Sequence, residues 1–224
     1  VTQAGLSAAR IEAAVEDAGL ERLADGVAAR FSAYYELLQR WNAKLNLTAI
    51  RDPEEVLQRH FAECIFCAQR LPSEIATLLD YGSGAGFPGI PIALCRPEIR
   101  VTLAESQGKK ASFLREAARL LEVTVEVYSG RVEEMPTARI FDAVTLRAVD
   151  KMREAVASAV FRVGERGWLV LLANAETAEL PPGFVCSDAP EFSATRVPGT
   201  ENRFLLLASK SGSHEDVPHG TIRA

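Results

Sequence analysis

The stretch Leu78 to Pro91, LLDYGSGAGFPGIP, limits what this chain can fold into more than any other. A short apolar run ends in Asp80, three glycines follow at alternate positions, and a second apolar segment begins at Phe87. The run Ala76 to Leu79, short and bounded by breakers, predicts a buried strand. The chain must then turn sharply, and Gly82, Gly84 and Gly86 supply positive φ angles and bare backbone that a ligand can approach. Phe87 to Leu94 predicts a helix whose first amides point back into the loop. A strand, a glycine loop and a helix in that order make a nucleotide-type cofactor site.

Two ligand readings of the loop compete. Gly84, Gly86 and Gly89 satisfy the spacing GxGxxG, in which a pyrophosphate rests on a helix N-terminus. The other frame, DxGxGxG from Asp80 through Gly82, Ser83, Gly84 and Gly86, resembles motif I of the S-adenosylmethionine-dependent methyltransferases. A carboxylate at the mouth of the loop would repel pyrophosphate and attract the ammonium and sulfonium of that cofactor, which favours the second frame. An ordinary glycine-rich turn accounts for one glycine and poorly for three at alternate positions.

The chain has 224 residues, 48% of them hydrophobic, enough for one large domain with an appendage and a real core. No run approaches the ~20 apolar residues of a membrane span, and the first residues lack the basic-then-apolar order of a secretory signal, so the cytoplasm is the expected compartment. Four scattered cysteines are expected to be reduced. Cys64 and Cys67 spell CxxC, but zinc would need a second pair and a redox pair should open a helix, so they read as thiols on an apolar helix face and no metal is expected. A net charge of −5 argues against coating nucleic acid by bulk electrostatics while leaving room for a local basic patch.

Residues 1–72 read as a helical extension. Ser7 caps a helix to Ala18, a second runs from about Asp25 to Ala43 with Phe31, Tyr34, Tyr35, Leu38, Trp41 and Leu45 as a packing stripe, and Asp52, Pro53 and Glu55 open a third. His60 lies on or beside the apolar face of that third helix and reads as a hydrogen-bonded, partly buried imidazole. From Ala76 the pattern changes to short strands alternating with helices, so residues 73–209 predict an α/β domain with a parallel sheet. Its strands are expected at Arg100 to Ala104, Val123 to Tyr128, Phe141 to Leu146, Gly167 to Ala173, Phe184 to Cys186 and Arg203 to Ala208. Residues 210–224 are polar and expected to be disordered or clipped to a partner.

Glu105 stands about twenty residues past the glycines at the end of the next strand, where an acid can accept hydrogen bonds from two ribose hydroxyls. After the third strand, main-chain amides around Val132 with the Glu133 carboxylate could read an adenine edge. After the fourth, Arg147 is either a salt-bridge partner of a helix or a hand on the cofactor carboxylate or the substrate.

The blocks WNAKLNLTAIRDPEEVLQRHF, LLDYGSGAGFPGIPIAL, ESQGKKASFLRE, RVEEMP and FDAVTLRAV resemble, in order and spacing, those of the bacterial RsmG (GidB) family, the 16S ribosomal RNA guanine-N7 methyltransferases. The resemblance covers about Phe31 to Leu172. It implies a Rossmann-like class I methyltransferase fold with a helical N-terminal extension, S-adenosylmethionine as cofactor, and 16S ribosomal RNA or the small ribosomal subunit as partner of a monomer. Carried over by position, the family's cofactor contacts fall on Gly82, Phe87, Val132, Glu133 and Arg147, with Glu105 as the ribose acid. Three positions depart: Asn174 stands where many members have a lysine, Glu63 for an aspartate and Leu146 for a serine. The first puts a contact to substrate phosphate in doubt. Arg40, Lys44, Arg51, Arg59, Lys109, Lys110, Arg115 and Arg119 supply candidate cations for RNA, although scattered cations on helices are usually solvated faces. A methyltransferase for a small molecule or protein, and a non-catalytic NAD-binding regulatory module using the GxGxxG frame, are the competing functions.

Overall fold

The computed structural model describes residues 5–149, 151–174, 180–186 and 195–210. Helix α1 (Ala8–Asp17) starts where Ser7 accepts a hydrogen bond from the Arg10 amide at 3.2 Å. Helix α2 (Val27–Leu45) lies between Gly26 and Asn46, both left-handed, which moves it two residues along from the expected span. Its stripe is core as the spacing requires: Phe31, Tyr34, Tyr35 and Leu38 are buried. Asp52 caps the next helix by accepting from the Glu55 amide at 3.0 Å.

That third helix is not uniform. Helix α3 (Pro53–Val56) passes into a π-helical stretch, Leu57–Ala62, before α4 (Glu63–Arg70) resumes regular winding. The cause lies outside the helix. The Arg147 guanidinium enters from the sheet and its Nη2 donates to the Arg59 carbonyl at 2.5 Å, and an inserted donor of that kind widens a helical turn.

The rest alternates as the pattern predicts: β1 (Thr77–Tyr81), α5 (Gly89–Cys95), β2 (Arg100–Glu105), α6 (Gly108–Leu120), β3 (Val125–Ser129), a 3₁₀ turn (Val132–Glu134), β4 (Phe141–Arg147), α7 (Met152–Ala159), a second 3₁₀ turn (Val160–Arg162) and β5 (Val163–Asn174). Strands β6 (Phe184–Cys186), β7 (Thr195–Arg196) and β8 (Arg203–Lys210) follow, β7 being too short to announce itself in the sequence. They form one sheet in the order β3-β2-β1-β4-β5-β8-β6, with β7 also on β8. Strands β1 to β5 pair in parallel, and β8 is antiparallel to β5 and β6. This is the Rossmann-like methyltransferase arrangement expected from the sequence. The polar tail, with His214 and His219, lies outside the described residues.

Both faces of the sheet are covered, so β1 reads as a continuous apolar run. Leu78 joins one core with Phe31, Tyr34, Phe61, Cys64, Leu103 and Phe113, while its neighbour Leu79 joins a second with Val144, Val156 and Leu169 on the opposite face. The N-terminal helices thus share the first core with the sheet. Cys64 and Cys67 are buried thiols within it, and burial pushes both above their ordinary range. Among the described helices none is long and apolar enough to cross a membrane.

Candidate active site

The chain runs outward through β1, β2 and β3, then returns to place β4 on the other side of β1. Where strand order reverses, the loops after neighbouring strands part and leave a crevice at their carboxyl ends. A cavity of about 440 Å³ occupies it, lined by Tyr81, Gly82, Ala104, Ser106, Gly130, Val132, Glu133, Val149 and Lys151 among others.

The glycine loop turns over this crevice, and its glycines serve different ends. Gly84 has φ +56, and a Cβ built there would find only the Gly82 carbonyl oxygen, 3.8 Å away: the backbone is bare toward open space. Gly86 and Gly89 face inward. A Cβ on Gly86 would lie 2.6 Å from Ile90 and 2.7 Å from the Tyr34 hydroxyl, and one on Gly89 would lie 2.3 Å from Leu103. Gly89 lets α5 lie against β1 and β2, the close-packing role of the third glycine in such loops.

Glu105 is buried at the end of β2 and holds the loop directly, accepting from the Gly84 amide at 3.0 Å and the Gln107 amide at 2.7 Å. Two backbone donors leave about half of a carboxylate's acceptor capacity for a ligand's hydroxyls. Glu133 accepts from the Tyr81 hydroxyl at 2.5 Å, which holds its pKa below the ordinary carboxylate range. Val132 is buried beside it, and the turn is fixed from below by Arg162, which donates to the carbonyls of Val132, Met135 and Pro136 at 2.6 to 2.9 Å.

Other residues singled out in the sequence lie beneath the loop. Asp80 does not stand at the loop's mouth: it is 1% exposed, accepting from Thr145 Oγ1 at 3.0 Å and from the Gly89 amide at 3.2 Å. Burial pushes it up to about 6, against the hydrogen bonds that favour its charge. Ser83 is buried with its hydroxyl on the Asp80 carbonyl. Phe87 is buried between His60, whose ring stacks on it at 4.5 Å, and the rings of Tyr34 and Phe61. The Tyr34 hydroxyl donates to the Ala85 carbonyl, so helix α2 buttresses the loop from behind.

Arg147 closes this lower layer. Its Nε and Nη2 donate to Glu63 Oε2 at 2.9 and 2.7 Å, and Nη2 also meets His60 Nδ1 at 2.9 Å. Burial works against the guanidinium's charge, and its neighbours Cys64, Glu63 and Asp80 outweigh it, so the charge is held. Among the described residues Nη1 has no partner. Glu63, 1% exposed, accepts from Arg203 Nε through its other oxygen at 2.7 Å. Arg203 stands directly across from Asn174 in the β5–β8 register and approaches its Oδ1 at 3.4 Å. His60 Nδ1 also meets the Arg59 carbonyl at 3.3 Å, and Nε2 faces Thr48 Oγ1 at 2.9 Å, so both ring nitrogens have polar partners. Asn42 grips the backbone of Thr48 at both its N–H and its C=O. A polar chain therefore runs from α2 through the π-helical turn to β4 and β8.

Burial and the adjacent Arg147 lower His60 from 6.5 to about 3. An unfolded chain takes up this proton near pH 6.5 and the folded one does not until about pH 3, so acid favours unfolding. Below pH 6.5 the parent should lose up to about 1.4 kcal/mol per pH unit relative to His60→Gln, and above it the two should run parallel. Urea titrations of both proteins at intervals from pH 8 to 4.5 check this, because contributions of Asp80 and the other carboxylates cancel in the difference.

A family model described as rRNA small subunit methyltransferase G (GidB) matches residues 28–180, more than half of the chain. The chain belongs to this family. A ribosomal RNA small subunit methyltransferase G from Xanthomonas euvesicatoria is 37% identical over 206 residues, covering 87% of this chain and 95% of that protein. The protein of the same name from Shigella flexneri is 34% identical over 201 residues, 88% and 96% of the two chains. Among solved structures, a cofactor-bound protein from MTB superposes with a TM-score of 0.57 at 18% identity over 81% of this chain and 89% of that one. A methyltransferase from Geobacter sulfurreducens gives 0.52 at 17% identity, over 91% and 96%. These structural matches establish the fold.

Within the GidB frame, sequence reasoning placed Tyr34 in a packing stripe without its hydroxyl's role, and missed Tyr81, Arg162 and Arg203 as site residues. The partner of each is too far along the chain to be read locally. Arg162 in VFRV carried the one local signal, a lone cation inside an apolar run.

Proposed function

We propose that this chain transfers a methyl group from S-adenosylmethionine to N7 of a guanine in the 16S ribosomal RNA of the small subunit. The observation that carries the reading is the crevice where strand order reverses, with bare backbone at Gly84 held beside the Glu105 carboxylate, in a chain of this family. The reading includes action by a single copy in the cytoplasm.

S-adenosylmethionine, when bound, supplies a methyl group on a positively charged sulfur that an unprotonated lone pair can attack. The residues present fit such a cofactor. Glu105 is oriented by two amides with acceptor capacity left for ribose hydroxyls, and the turn at Val132 and Glu133 offers an adenine edge both an amide and a carboxylate. Gly82 and Gly84 let the ligand approach the main chain, while Asp80, Ser83, Gly86 and Phe87 shape the loop from beneath. Arg147, locked through Nε and Nη2, has Nη1 left for a carboxylate or phosphate. An NAD-binding module is disfavoured because the chain belongs to a family of ribosomal RNA methyltransferases, whereas Glu105 alone would suit the ribose of either cofactor.

Guanine N7 carries an in-plane lone pair and no proton, so the chain needs no general base. Its task is alignment, which can supply about 7 to 11 kcal/mol of barrier reduction. Among the described residues the histidine near the site suits this: His60 is neutral down to about pH 3, and both its ring nitrogens are engaged. Single-turnover transfer to small ribosomal subunits should be flat from pH 6 to 9. A tenfold rise per pH unit would reveal a titrating base and point to a target atom that must shed a proton.

A further inference from the structure

A second concavity lies outside the cofactor crevice. This groove, about 540 Å³, runs between the last turns of α2 and the first turns of α6, and is lined by Arg40, Trp41, Lys44, Leu45, Lys109 and Glu116 with Ser112. Trp41 and Leu45 are partly buried and supply apolar surface; Arg40, Lys44 and Lys109 are exposed. The indole is fixed in plane by an edge contact with Phe113, centroids 5.7 Å apart, and by its Nε1 hydrogen bond to Glu116 at 3.1 Å. Among the described residues none of the three cations forms an ion pair. Three cations against one carboxylate, on a chain whose net charge is −5, make this groove a local reversal of the protein's charge.

Its position matters as much as its charge. Ser106 lines the cofactor cavity and Lys109 lines the groove. Three residues of chain can separate them by at most about 11 Å, so one strand of RNA can engage both. Both residues follow the carboxyl end of β2, the edge of the sheet where the crevice opens.

Resting on the methyltransferase reading above, we infer that this groove holds an unpaired nucleotide of the RNA substrate beside the target guanine, its base against Trp41 and its phosphates against Arg40, Lys44 and Lys109. A duplex offers protein a ridge of phosphates and no free base face, so it would leave the aromatic surface unused. Single-stranded RNA presents both, and a fixed aromatic side chain flanked by cations is the combination that takes it.

The test uses the full chain carrying Lys44→Glu and Lys109→Glu together, with Arg100→Glu and Arg166→Glu, both exposed residues on β2 and β5, as a control of equal charge change. For the groove variant, affinity for deproteinised 16S ribosomal RNA and KM for small subunits should weaken tenfold or more, with kcat and S-adenosylhomocysteine affinity unchanged. The slope of log affinity against log salt should become shallower by about 1.4, two lost phosphate contacts on single-stranded RNA. Parental values in the groove variant, or an equal loss in the control, would overturn the inference. Weakening toward subunits but not toward bare RNA would also overturn it, in favour of a ribosomal protein as occupant. A parent that binds S-adenosylhomocysteine yet methylates no subunit would instead sink the reading on which the inference rests.

Discussion

Replacing Glu63 with alanine should cost the fold about 3 to 5 kcal/mol, because two guanidiniums would then share a site with no counterion. The Glu63 side chain is 2% exposed, Arg147 9% and Arg203 22%, and the carboxylate spans them with one oxygen each. Arg203 can swing toward water. Arg147 cannot, since Phe87, His60 and the Arg59 carbonyl surround it. For a chain of this size the loss corresponds to a fall in Tm of roughly 10 °C. Removing the stranded cation as well, in Glu63→Ala with Arg147→Met, should recover part of the stability, and urea unfolding of the four combinations measures the coupling. A loss below about 1 kcal/mol for Glu63→Ala would mean that the cluster does not hold the π-helical turn to the sheet.

The second large effect separates two glycines that look equivalent in the sequence. Gly86→Ala combines a left-handed φ of +89 with contacts of 2.6 and 2.7 Å to Ile90 and Tyr34. Backbone strain of about 1 to 2 kcal/mol and overpacking of about 1 to 3 should together push the loop off α2 and lower stability. Gly84→Ala meets only the backbone strain, since the space around it is open, and should remain folded. Its methyl group would stand where the cofactor approaches, so S-adenosylhomocysteine should bind at least tenfold more weakly, about 1.4 kcal/mol. Urea unfolding and calorimetry on the pair decide it. Equal stability losses with parental binding in Gly84→Ala would contradict this division of roles.

The contrast shows what was legible beforehand. Alternation of short apolar runs with helical segments, and the glycines after Leu79, led to the sheet, the loop and the acid at Glu105, because those signals are local. The asymmetry between Gly84 and Gly86 was not legible. It depends on Tyr34, some fifty positions away, which the helical spacing places correctly in the core without saying that its hydroxyl supports the Ala85 carbonyl. Asp80 was expected to face a ligand because it precedes the glycines, but β1 is buried on both faces and alternate residues point to opposite sides: Tyr81 takes the side of the cavity, while Asp80 turns toward Thr145 and Gly89. Arg147 was read with two alternatives open, and the ion pair with Glu63 is the one on view. The π-helical turn was invisible for a related reason: residues 53–70 have an unbroken helical pattern, and what widens the turn comes from β4.

Methylation of a guanine N7 in 16S ribosomal RNA is tested most directly by incubating the purified protein with methyl-labelled S-adenosylmethionine and small subunits from cells lacking this gene, then digesting the RNA and identifying the labelled nucleoside. Label should appear in 7-methylguanosine alone, confined to the 16S RNA and approaching one per subunit. Label on another nucleoside or on protein, or none from a preparation that binds S-adenosylhomocysteine, would contradict it.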